Sequence, residues 1–95
     1  MKNIVELTPE AQKKIKKLPN QVITKLKHWV NQVELLGVHR VMQVKGFHDE
    51  PLKGKRKGQR SIRLNKAYRA FYRKLNYHQQ SWWLIFVSPS KGQNR

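Results

Sequence analysis

His48 to Tyr72 reads HDEPLKGKRKGQRSIRLNKAYRAFY, and the change of pattern inside this stretch decides the fold. Residues 46–58 are rich in Gly, Pro and Lys with few apolar anchors, which predicts an exposed loop. From Ser61 the chain alternates, with Ile62 and Leu64 on one face and Ser61 and Arg63 on the other. Asn65-Lys66 makes a turn, and Tyr68 to Lys74 alternates again. Arg69, Phe71 and Arg73 share one face of that second strand. If the hairpin register brings them beside Ser61 and Arg63, the sheet presents a plane of guanidiniums around one aromatic ring.

Working towards the N-terminus, Val38 to Val44 suits either a helical turn or a strand, and we read it as a short helix or turn. A longer helix is expected from about Gln21 to Leu36. Its apolar residues Val22, Leu26, Trp29, Val33 and Leu36 step by four and three, Ile23 and Val30 widen the stripe, and Gly37 sits at the C-cap position. Before it, Thr8-Pro9-Glu10 reads as an N-cap, a first-turn proline and an acid facing the positive helix end. Ala11, Ile15 and Leu18 continue that short helix until Pro19-Asn20. Ile4 to Leu7 looks like a strand. Beyond the hairpin, Asn76 to Gln80 reads as a turn and Trp82 to Val87 as a strand covered on both faces. Helices first and strands second predict one α+β domain over residues 1–95, an N-terminal helical hairpin packed on one face of a small antiparallel β-sheet.

With 21 Lys and Arg against 5 Asp and Glu, the net charge is +16. That exceeds what solubility needs and destabilises the fold by self-repulsion, so a polyanionic partner is the economical explanation. No apolar run approaches the ~20 residues of a spanning helix, and the N-terminus lacks the apolar core of a signal peptide, so neither a membrane nor export is expected. Absence of cysteine removes disulfides and thiolate chemistry and makes a reducing cytoplasm the default. The 4 histidines are scattered without carboxylates at ligand spacing, so no metal or other cofactor is expected.

Phosphodiester cleavage in RNA needs a group to take the 2′-OH proton, cations to hold the dianionic transition state and a donor for the leaving oxygen. His48 and Glu50 can move protons, and a planar guanidinium such as Arg63 or Arg69 suits bidentate phosphate contact. Lys53, Lys55, Arg56, Lys57 and Arg60 form a dense basic run whose adjacency to the arginine strands favours an RNA backbone. The bland readings are a solvated loop with Glu50 as counter-ion to the lysines, and strand arginines whose stems cover apolar surface. Trp29 is expected in the core. Trp82 and Trp83 are read as core or partner contacts.

The string EPLKGKRKGQRSIRLNKAYRAFY, preceded by a short strand and a helical hairpin, resembles the RelE superfamily of type II toxins, and within it the HigB-like and YoeB-like members. The resemblance implies a microbial-ribonuclease-like fold and, in most members, cleavage of mRNA on the ribosome. It implies an acidic antitoxin as partner, beside mRNA and ribosomal RNA. Glu50 matches the loop catalytic glutamate of YoeB-like members, with His48 in the same loop. Lys53 and Lys55 resemble the loop lysines of RelE-like members, and Arg63 and Arg69 match the arginines that hold the scissile phosphate. Relatives commonly end in a motif such as Asn-Lys-His-Asp-Tyr. Here Ser90-Lys91-Gly92 retains only Lys91, so one proton-transfer role falls to the loop or is lost. Two other outcomes stay open: a gyrase inhibitor of the ParE kind, and a non-catalytic RNA or ribosome binder.

Overall fold

The computed structural model describes residues 4–76 and 81–89. Strand β1, Ile4–Leu7, leads into helix α1, Pro9–Ile15. Thr8 caps that helix as its sequence requires: its backbone is extended and its Oγ1 accepts from the Ala11 N–H at 3.1 Å, satisfying one of the donors a helix start leaves free. Helix α2, Asn20–Leu36, ends at Gly37, whose φ of 89° is the left-handed region that a side chain would strain. Val22, Leu26, Trp29 and Val33 form its buried stripe. Leu36, expected on the same stripe, is 40% exposed in the terminal turn. Val38–Val41 resolves as a single helical turn, α3, which buries both valines.

Strands β2 (Glu50–Pro51), β3 (Gln59–Arg63), β4 (Tyr68–Asn76) and β5 (Ser81–Pro89) complete a five-stranded sheet of order β1-β5-β4-β3-β2. Neighbours from β2 to β5 are antiparallel, as expected. The sheet gains one parallel pair, β1 on β5, with Val5 opposite Trp82. Parallel pairing needs a long connection, and between β1 and β5 lie helices α1, α2 and α3 and strands β2 to β4. β2 lies within the stretch expected as loop. It is only two residues long and sits at the edge, where the missing N–H of Pro51 is tolerated. The β3–β4 turn is held by Asn65, whose Oδ1 accepts from the N–H groups of Ala67 at 2.7 Å and Tyr68 at 2.9 Å.

The core lies between α2 and the face of β3 and β4 that carries Ile62, Leu64, Ala70 and Tyr72. Trp29 packs on Tyr72 with ring centroids 4.8 Å apart. A second anchor fixes the entry to the loop. Phe47 is 3% exposed, stacks against His28 at 5.8 Å and lies under the Lys25 ammonium, which also donates to the Gly46 carbonyl at 2.9 Å. Burying such a ring stabilises by roughly 1.5–3 kcal/mol, enough to fix where the chain approaches β2. The turn expected at Asn76 to Gln80 falls largely outside the described residues, as do the segment from Ser90 onwards, with Lys91, and the side chains of Trp82 and Trp83.

Candidate active site on the open sheet face

Residues directly opposite one another on antiparallel strands point to the same face. In β3 and β4 the opposed pairs are Gln59 with Arg73, Ser61 with Phe71, and Arg63 with Arg69. All six therefore project away from the helices, and the plane of arginines around one ring forms in the expected register. Arg69 Nη1 donates to Ser61 Oγ at 3.0 Å, and Ser61 is 1% exposed. The hydroxyl thus fixes one guanidinium beside a second, Arg63, whose Cα is only about 4.5–5.5 Å away in such a pair. Like charges so placed oppose folding, and a bound anion would relieve them.

Glu50 joins this face through β2, where it stands opposite Ser61. It is exposed, and its diagonal neighbour on β3 is Arg63, about 7–8 Å away between Cα atoms in ordinary sheet geometry. His48 is placed differently. Its backbone is left-handed, φ 50° and ψ 51°, so strand alternation does not reach it. It lines a shallow depression with Met42, Gln43, Val44 and Lys45. Of the two proton-moving side chains read from the sequence, Glu50 is the one whose register sets it beside the arginines.

Between them lies a residue that the sequence pattern did not single out. Asp49 turns inward, its side chain 1% exposed, and bridges Arg60 Nε at 2.5 Å and the Tyr72 hydroxyl. Burial pushes the Tyr72 phenol far above its usual range and the Asp49 charge pushes it further, with Arg60 opposing both. Burial also disfavours charge on Arg60, yet the hydrogen bond and charge of Asp49 outweigh that and raise its pKa. Arg60 is consequently not among the cations of the open face. Strand parity puts it with Ile62 and Leu64 on the helix side, and its guanidinium is the counter-ion of a buried carboxylate. A charge interrupting the apolar stripe Arg60, Ile62, Leu64 was the signal that a partner had to exist.

The basic loop also divides. Lys53, Lys55 and Lys57 are exposed. Arg56, expected among the RNA contacts, lies over the Phe71 ring, 4.3 Å from its centroid, and donates through Nε and Nη2 to Gln59 Oε1 at 3.2 and 3.1 Å. Phe71 is 1% exposed, with this cation over its ring. Arg73 is exposed at the neighbouring rung. Among the described residues no group of three or more His, Cys, Asp or Glu could hold a metal, and no helix is long and apolar enough to cross a membrane.

The fold, a helical hairpin over one face of such a sheet, is shared with solved structures of YafQ, a YoeB/ParE toxin and an archaeal RelE–RelB complex. The chain is similar to a chain of the DinJ–YafQ toxin-antitoxin complex of E. coli, with a TM-score of 0.74, 16% identity and coverage of 98% of both chains. It is similar to a chain of the archaeal RelE–RelB complex from Pyrococcus horikoshii, with a TM-score of 0.71, 18% identity and coverage of 94% of this chain and 96% of that one. A YoeB/ParE toxin from Agrobacterium tumefaciens gives a TM-score of 0.71 at 18% identity, covering 90% and 96%. No family model matches the sequence, and no curated protein does.

Proposed function

We propose that this chain is the toxin of a type II toxin-antitoxin pair and acts as a metal-independent mRNA endoribonuclease on the ribosome. The observation that carries the reading is the rung of Arg63 opposite Arg69, with Ser61 orienting one guanidinium and Glu50 on the adjoining strand of the same face. In the proposed reaction Glu50 takes the proton of the RNA 2′-OH, the 2′ oxygen forms a bond to the adjacent phosphorus, and the bond to the 5′ oxygen breaks. Arg63 and Arg69 hold the charge that builds on the non-bridging oxygens. The leaving 5′ oxygen takes a proton from Lys53, Lys55 or Lys91, or from water, and the product is a 2′,3′-cyclic phosphate. His48, in the same loop, is the alternative base. Lys57 and Arg73 extend the footprint along the RNA backbone. A net charge of +16 favours rapid capture by an acidic antitoxin segment, disordered until bound. The fold neighbours include structures of such toxin-antitoxin complexes.

The test is expression of the wild type and of Arg69→Ala in a bacterial host, with growth followed and mRNA 5′ ends mapped. Codon-phased cuts that disappear in the variant support the reading. Growth arrest with intact transcripts overturns it in favour of gyrase inhibition, to be checked by supercoiling with purified gyrase. Ribosome association that survives Glu50→Ala, with intact mRNA in both proteins, would mark a binder without chemistry.

A further inference from the structure

Phe71 is an aromatic ring in the middle of the sheet face turned away from α2, and a guanidinium lies over it. An apolar loop residue would cover such a ring without the desolvation a cation suffers, so the choice of arginine calls for a reason beyond packing. Arg56 is held over the ring at 4.3 Å, and two of its nitrogens share one acceptor, Gln59 Oε1, which fixes the guanidinium about its long axis. The residue remains partly exposed. Its position along the strands is informative. On β4, Arg69 and Arg73 lie two residues to either side of Phe71 on the same face, each about 6–7 Å away at the rise of an extended strand. The order along this face is cation, stacked ring, cation.

That order matches a polyanion whose charges alternate with flat aromatic groups. We propose that Arg56, backed by Phe71 and oriented by Gln59, is a stacking platform for a single-stranded RNA base, with the phosphates flanking that base received by the Arg63–Arg69 rung on one side and by Arg73 on the other. Guanidinium planes and aromatic rings are common surfaces for unstacked RNA bases. Arg56 on this account is a positioning residue: it sets which phosphate reaches Arg63 and Arg69 and takes no part in proton transfer. The inference rests on the proposed RNA-cutting role of this face.

The experiment compares two short 2′-O-methyl RNA tetranucleotides, which cannot be cut, one intact and one with a central abasic residue. Binding to the full chain is measured over a salt series. Wild type binds the intact oligomer about tenfold more tightly than the abasic one, the scale of one base stacked on a protein surface. Arg56→Lys keeps the charge and removes the plane, so the ratio falls towards one while the salt dependence is unchanged; Arg56→Ala loses both the ratio and part of the salt dependence. A purely structural role for Arg56 shifts both oligomers equally and leaves the ratio intact, which overturns the platform, as does a wild-type ratio near one. Failure of the wild type to bind either oligomer overturns the RNA role of the face and the platform with it, whereas binding of both with equal affinity sinks the platform alone.

Discussion

Arg63 and Arg69 stand directly opposite one another on adjacent antiparallel strands, two guanidiniums paired across a rung where opposite charges or β-branched residues would be more stable. A like-charged rung costs roughly 0.2–1 kcal/mol. Arg63→Thr removes the repulsion and restores a good strand residue without disturbing the hydrogen bond from Arg69 to Ser61. Its melting temperature is expected to rise by about 2–5 °C while the proposed RNA cleavage falls by two orders of magnitude or more. Thermal unfolding and primer extension on the same preparation check both. A lower melting temperature would show that the arginines are supported by the fold rather than tolerated by it.

The Asp49–Arg60 pair is asymmetric, with side chains 1% and 28% exposed, and the asymmetry predicts unequal damage. Arg60→Met leaves a buried carboxylate held by the Tyr72 hydroxyl without its counter-ion, a loss of about 3 kcal/mol. Asp49→Asn still accepts from the Tyr72 hydroxyl and leaves an arginine that can reach water, so about 1 kcal/mol is expected. Urea unfolding of the two variants gives the order, and the reverse order would mean that the carboxylate is not the buried member in solution.

Tyr72 makes stability pH-dependent on the alkaline side. Its pKa is raised above the ordinary 10.0 by burial, then by Asp49, so the folded state keeps the phenolic proton after the unfolded chain has released it. Stability is therefore whole below about pH 10 and falls above it, by up to 1.4 kcal/mol per pH unit for this group. Tyr72→Phe starts less stable, because Asp49 loses a donor, but its alkaline slope is shallower by that amount. Phenolate absorbance offers a second check: of the 3 tyrosines, Tyr72 stays silent until the protein unfolds.

The exposed loop lysines act as point charges. On the proposed RNA-binding role of this face, replacing Lys53, Lys55 or Lys57 singly by Gln is expected to weaken binding about equally for every sequence and to reduce the slope of log affinity against log salt by about 0.7 for each phosphate left without its lysine. A variant that changes sequence preference while leaving the slope untouched would assign that lysine to base recognition.

Local signals foretold most of this framework. The Thr8 cap, the stripe from Val22 to Val33, the stop at Gly37 and the alternation on either side of Asn65-Lys66 each follow from spacing and chemistry within a few residues. The parallel pairing of β1 with β5 did not, because nothing in Ile4 to Leu7 encodes a partner so distant along the chain. Nor did β2, where two residues are too few to show a period. Within the site, strand parity located Arg63, Arg69 and Phe71. The same parity applied one residue earlier would have set Arg60 inward and pointed to Asp49, which in a polar loop looked like any solvated acid.

The sheet order has one more consequence. β5 is the last of the described strands in the sequence, yet it lies between β1 and β4, so the sheet cannot close while β5 is still being synthesised. Until then β1 has no neighbour, and the hairpin that bears the arginines lacks the strand behind β4. A nascent copy still on its ribosome is thus an unfinished molecule, and the face that bears the arginines takes its final form only after β5 has emerged.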